Sequence, residues 1–299
     1  MKFLHKYMRA IGFSTMESHK KLQELLTEVV IHSDRRNVAR NEKNIILSEF
    51  CKDFAEGLGI AVCGEIDEEE RFTYEYYYPY LEGRGITSYE DVTVERHAEK
   101  ESYAGVCDDM KVGISLIFYL KNKIPYVRAQ ADNKLPVRGT SLTLSALSIS
   151  GMVIFPIKKD EEQLERVRQD SANRSSLMAA ARKGDEDAIE TLTLEDMDMY
   201  TTISRRIHKE DVFSLVDTYF MPYGVECDHY SILGEITEIQ MTTNRITGEK
   251  IYILKICTNE LTFDVSINII DLYGEPQVGR RFKGVVWLQG CINFPKSTF

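Results

Sequence analysis

Residues 250–268 read KIYILKICTNELTFDVSIN. In the second half, Leu261, Phe263, Val265 and Ile267 fall on one side and Thr262, Asp264, Ser266 and Asn268 on the other. That period-two alternation marks a strand with one buried face. In the first half, Lys250 to Thr258 carries Ile, Tyr and Leu on both sides, and only Asn259 and Glu260 separate the two runs, which fits a tight hairpin. Upstream, Ile232 to Met241 reads as another strand. Its apolar parity changes between Ile236 and Ile239, which predicts a bulge and a curled strand. Asn244 and Thr247-Gly248-Glu249 supply the intervening turn, with Gly248 where positive φ is needed. Downstream, Gly279, Gly284 and Gly290 punctuate an apolar run through Phe282, Val286, Trp287 and Leu288, as at the corners of a small barrel. Four or five curled strands in about seventy residues point to an OB-like barrel, the plainer alternative being an open antiparallel sheet packed on helices.

The chain has 299 residues, room for two or three such units. Its 43% hydrophobic and 28% charged content is ordinary for a globular protein. Met1 to Phe13 lacks the continuous apolar core of a secretory leader. The longest low-charge run, Thr140 to Ile157, interleaves Ser and Thr with Leu and Ile and reads as strands rather than a membrane helix. A cytoplasmic protein without membrane contact is expected. The six cysteines contain no Cys-x-x-Cys pair, which disfavours a zinc ribbon or redox dithiol. The net charge of −10 is uneven: residues 1–56 carry +2 and residues 230–299 carry zero, which leaves −12 for the middle. So acidic a body argues against general affinity for nucleic acid.

Taken in order, a short strand is expected over Lys6 to Ile11. A helix should follow from Thr15 to His32, opened by a capping box at Ser14-Thr15-Met16-Glu17. Arg35, Arg36, Arg40 and Lys43 read as a basic connection, solvated or facing an acidic partner. Gly59 to Glu65 and Arg71 to Tyr80 read as strands, with Phe72, Tyr74, Tyr76 and Tyr78 on one face and Tyr77 on the other. Such a ladder is most often cross-strand packing; a stacking platform for sugars or bases is the functional alternative. Further strands are expected at Val92 to His97, Val112 to Leu120, Ser141 to Ser148 and Met152 to Ile157, with Gly151 in a turn between the last two.

Residues 158 to 210 turn helical. Gly184 is a natural stop, Asp185 opens the next helix and Thr193 another, whose Leu194, Met197, Tyr200, Ile203 and Ile207 form an amphipathic stripe. The expected class is α+β in three parts. Residues 1–157 form a mostly antiparallel sheet with a covering helix, 158–229 a helical connector and 230–299 a small OB-like barrel.

Catalytic signals are weak. His97, Cys107, Asp108 and Asp109 form a polar set, but the two acids disfavour a thiolate, and a loop with a buried thiol explains them as well. Cys227-Asp228-His229 with Cys257 or Cys291 lacks the close spacing of structural zinc ligands. Gly83-Arg84-Gly85 has Ser88 where a dinucleotide loop needs its third glycine. No catalytic residue, metal ligand or cofactor is therefore assigned. On the barrel, Lys250, Tyr252, Arg280, Arg281 and Lys283, with Lys255 and Trp287, interleave basic and aromatic residues as single-stranded nucleic-acid binding requires. Against that stand the segment's zero net charge and its acidic neighbour.

Three runs carry a resemblance: Met8 to Ser14, Tyr219 to Asp228, and Gly279 to Gly284 with Trp287 to Gly290. Together they are similar to an uncharacterised domain family of anaerobic, spore-forming Firmicutes of the clostridial group. The resemblance spans the chain and implies a bacterial cytoplasmic protein; it supplies no reaction. Three functions stay open: a non-enzymatic binding or interaction module with a protein or small-molecule partner, a single-stranded nucleic-acid binder, and an enzyme with a cleft between sheet and barrel.

Overall fold

The computed structural model describes residues 4–16, 18–41, 44–96, 102–109, 114–135, 139–157, 161–181, 183–206 and 212–295. A 3-10 turn (Lys6–Ile11) and helix α1 (His19–Ile31) open the chain. Strands β1 (Arg35–Arg40), β2 (Ile46–Ala55), β3 (Leu58–Ile66) and β4 (Phe72–Leu81) pair in that order, antiparallel throughout. Next come β5 (Val92–Arg96), β6 (Tyr103–Cys107), β7 (Leu116–Leu120), α2 (Lys123–Ala131) and the long β8 (Ser141–Ile154). Helices α3 (Glu161–Ala181), α4 (Glu186–Arg206) and α5 (Val212–Leu215) lead to β9 (Tyr219–Pro222), β10 (His229–Thr243), β11 (Lys250–Thr258), β12 (Leu261–Asn268), β13 (Leu272–Tyr273) and β14 (Arg281–Asn293).

A closed five-stranded barrel forms from β10, β11, β12, β14 and β8. The pairs β10–β11, β11–β12, β10–β14 and β14–β8 are antiparallel, and β8–β12 is parallel. In a five-stranded OB Greek key the first strand pairs with the second and fourth, and the third runs parallel to the fifth. Here β10, β11, β12 and β14 take the first four places and β8 the fifth, although β8 comes first in the chain. Its interior holds Leu144, Ala146, Ile232, Leu254, Phe263, Val265 and Val286, each fully buried. The expected bulge appears between Ile236 and Glu238. The β11–β12 hairpin turns on Asn259 and Glu260, both at positive φ.

Several expectations change. Lys6–Ile11 is a 3-10 turn, not a strand: it wedges the buried Tyr7, Met8, Ala10 and Ile11 between sheet and barrel. Ser14 does not cap α1; its hydroxyl and amide both donate to Glu249 of the barrel. The basic connection is strand β1, with Lys43 outside the described residues. The runs on either side of Gly151 are one strand. A Cβ on Gly151 would stand 2.4 Å from the Phe282 ring, so the glycine admits that ring rather than making a turn.

Helix α4 runs unbroken through Thr193. Gly184 does end α3 at φ +87°, and Asp185 accepts the Ala188 amide as a cap. Of the expected stripe on α4, Leu194 and Met197 are exposed; the side chains of Tyr200 and Ile203, and Ile207 itself, lie outside what is described. Sheet and barrel share a second core, in which α1 (Leu22, Leu26, Val29) and the sheet (Phe54, Ile60, Val62) meet Ile251, Ile253 and Trp287 of the barrel wall.

Candidate functional site between sheet and barrel

Strand register gives the four-stranded sheet one polar face. Asn37 lies opposite Glu49, Glu49 opposite Cys63 and Cys63 opposite Tyr76. The next row runs Arg35, Cys51, Ala61, Tyr78, and the third Asp53, Gly59, Tyr80. Residues opposite one another across a sheet share a face, so an arginine, two carboxylates, two thiols and three tyrosines point the same way. Gly59 is required here: a Cβ would stand 2.5 Å from the Tyr80 hydroxyl that lies across it. A bulge between Cys63 and Gly64 puts Tyr74 on the opposite side from Tyr76, which breaks the expected four-residue ladder. Gly64 permits that bulge, since a Cβ would come within 2.1 Å of the Thr73 carbonyl.

Lys121 and Asn122, between β7 and α2, and Cys291 of β14 face this surface across a cavity of about 170 Å³. Lys121 is 5% exposed; its ammonium donates to the Leu81 carbonyl and to Ser145 Oγ at 3.2 Å, and lies 3.5 Å from Glu82. At the mouth, Arg35 Nη2 donates to Tyr80 Oη at 3.0 Å and Glu82 Oε1 at 3.2 Å, with Asp53 at 3.5 Å. The Tyr80 hydroxyl in turn donates to Asp53. On the floor, Glu49 is 3% exposed and accepts from Tyr78 Oη at 2.8 Å and Asn37 Nδ2 at 3.2 Å, with the Cys63 thiol at 3.8 Å.

Charge is distributed unevenly in this cluster. The ion pairs run Arg35–Asp53, Arg35–Glu82 and Lys121–Glu82, and among the described residues Glu49 has none. Burial pushes the Glu82 carboxyl up, yet Lys121 and Arg35 outweigh it and hold that group below its ordinary range. Burial also raises the thiols, Cys63 to about 12 and Cys51 and Cys291 upward too, so none of the three is an activated nucleophile. Burial likewise keeps Tyr78 and Tyr80 protonated, as donors.

One family profile matches residues 8–290, that of a domain of unknown function carrying an E. rectale gene description (DUF3881). The chain belongs to this family. No curated protein and no solved structure matches it. The resemblance drawn from the three sequence runs and this match agree on an uncharacterised clostridial domain.

In this member of the family, the basic and aromatic residues of the barrel go to several places. Arg281 is 5% exposed and donates to the carbonyls of Phe155, Phe213, Val216 and Asp217. Arg280 donates to the Glu275 carbonyl and lies 5.2 Å from the Phe155 ring, and Lys283 lies 4.3 Å from the Phe213 ring. The structure thus groups these three around the segments flanking α3 and α4. Lys250 is exposed and Tyr252 half-buried on β11, across β10 from them. Lys255 pairs with Glu238 at 3.1 Å. Trp287 is buried, and its indole N–H donates to Asp228, whose other oxygen meets His229 Nδ1 at 2.8 Å.

The outer side of β12, where OB barrels take ligands between their second and third strands, is covered. Ser266 donates to the Ala10 carbonyl, Asn268 to that of Arg9, and Arg84 grips the fully buried Asp264 through two nitrogens. Gly83-Arg84-Gly85 therefore serves an internal carboxylate. Of the polar set near Cys107, Ser88 donates to Asp109 at 2.5 Å and burial raises the thiol to about 11, while His97 lies outside the described residues.

The sequence reading did not find Arg35, Glu49, Tyr78, Tyr80 or Lys121 as a group. The available signal was the alternation Glu49, Cys51, Asp53 against Phe50 and Phe54, whose polar side is buried rather than solvated.

Proposed function

We propose that this protein is a binding module for a small polar molecule, held in the cleft between the four-stranded sheet and the barrel. The observation that supports it is Glu49, a carboxylate with 3% exposure on the cavity floor whose hydrogen-bond donors are all neutral. Burying a carboxylate without a counter-charge costs several kcal/mol, and a cationic group entering the cavity offsets that cost. Binding is favoured over catalysis because the three thiols at the site stay protonated. A cytoplasmic setting suits the six free cysteines, and among the described residues no helix is long and apolar enough to cross a membrane.

Single-stranded nucleic acid through Lys250, Tyr252, Arg280, Arg281 and Lys283 draws less support. Arg281 is spent on backbone carbonyls, and the wall formed by β12 is covered by the chain itself.

Native mass spectrometry on gently purified protein tests the binding reading. A small adduct is expected that disappears in Asn37→Trp, which fills the cleft from its rim. Absence of any adduct, together with no melting shift across a library of polar metabolites, would sink it.

A further inference from the structure

We infer that the ligand is a small zwitterion, an amino-acid-like molecule with an ammonium and a carboxylate joined by a short carbon spacer. This rests on the cleft being a binding site, as proposed above, and names what it takes. Size comes first. Pockets for drug-sized ligands run to about 300–1,000 Å³; this cavity holds about 170 Å³. At about 30 Å³ per water, it has room for roughly five or six waters, or a molecule with about as many non-hydrogen atoms.

Charge comes second. Glu49 accepts three contacts, all from neutral groups, and an ionised carboxylate has about four acceptor positions. An ammonium supplies both the missing donor and the missing charge. Neither buried lysine does so: the Lys121 ammonium is engaged by Leu81, Ser145 and Glu82, and the Lys123 ammonium by Tyr76. Arg35 spends only Nη2 on the protein; among the described residues its Nε and Nη1 have no partner, and they stand at the mouth for an anionic group. Arg35 lies opposite Cys51 and Asn37 opposite Glu49, so Arg35 and Glu49 are diagonal neighbours on one face. Diagonal neighbours sit about 7–8 Å apart. Both side chains line the one cavity, so a single small molecule reaches both when a short carbon spacer joins its opposite charges, as in an amino acid.

Isothermal titration calorimetry on the full chain, with three sets of probes, tests this. The zwitterions are glycine, alanine, β-alanine and serine; the half-ligands are ethylammonium and propionate. At least one zwitterion should bind at least about tenfold more tightly than either half-ligand. Glu49→Gln and Arg35→Ala should each weaken it about tenfold or more, since a charge-assisted hydrogen bond is removed.

Circular dichroism checks that the variants fold. Should Glu49→Gln fail to fold, Glu49→Asp, which keeps the charge but draws it back by one methylene, should still weaken binding. If a half-ligand binds as tightly as any zwitterion, or if binding survives Glu49→Gln in folded protein, the zwitterion is wrong while the cleft stands. If other polar metabolites bind and no amino acid does, the same holds. If nothing binds and no adduct is found, both proposals fall.

Discussion

Glu82 sits between two cations at the mouth of the cleft, with Arg35 at 3.2 Å and Lys121 at 3.5 Å. Burial disfavours its charge, but the cations prevail, and its folded-state pKa falls below the ordinary 4.5. The sign follows from linkage. A carboxylate with a depressed folded pKa contributes stability that is complete above the unfolded value and is lost as pH falls through the folded one. Glu82→Gln should therefore lower the melting temperature most near neutral pH, with the gap to wild type closing as the solution is acidified below 4.5. Parallel melting curves across that range would show that Glu82 is indifferent to its cations. Because the side chain is 40% exposed, solvent screens the effect and added salt should shrink it. At this scale the sequence was legible where a residue's backbone decides its role, as at Gly248 with its φ of +73°. It was not legible for Glu49 or Lys121, whose meaning comes from partners 12 to 40 positions away in the chain.

Hairpin β11–β12 was the most readable element, since alternation and a two-residue gap define it without outside help. The structure adds a detail that composition hides: Glu260 occupies the left-handed region at φ +63°. A two-residue turn with both positions left-handed favours Asn-Gly, and a non-glycine residue there costs about 1 kcal/mol. Glu260→Gly should then raise stability by about 0.5–1 kcal/mol in urea denaturation, and a loss would mean that the Glu260 side chain has an unseen role. Strand β1 reads as a solvated basic connection, and only its pairing through β2 with β3 and β4 reveals it as the edge of a buried polar face. The helical excursion was legible in its stops but not in its relation to the rest. Arg281 donates to Phe155 on one side of α3 and α4 and to Phe213 on the other, so the chain leaves and returns at a single guanidinium. Replacing residues 158–211 with a short Gly/Ser linker should accordingly leave the barrel folded, as read by the near-ultraviolet circular dichroism of Trp287. Loss of that signal would show that the helices support the barrel.

Across the whole molecule, the barrel's existence was legible from four curled strands, while its closure was not. The fifth strand, β8, lies 75 residues ahead of the start of β10 in the wall, counting from Ile154 to His229, and pairs with β12 in parallel and β14 in antiparallel. Parallel pairing between distant segments leaves no local signature, so β8 read as a member of the amino-terminal sheet. Its removal would expose the backbone edges of both β12 and β14 and the interior around Phe263 and Phe282. Two fragments separate order from composition. Residues 216–295 alone should give a poorly dispersed NMR spectrum, because the barrel lacks its closing strand. Appending residues 139–157 after Pro295 through a flexible linker restores the strand order of an unpermuted OB barrel and should sharpen the spectrum. Trp287, Ile251 and Ile253 stay uncovered in that fragment because they pack on the amino-terminal sheet, so mutating Ile251 and Ile253 to Thr keeps it soluble. If residues 216–295 fold as well without β8 as with it, closure is not what holds the barrel together, and the wall's stability must come from the three-stranded meander and β14 alone.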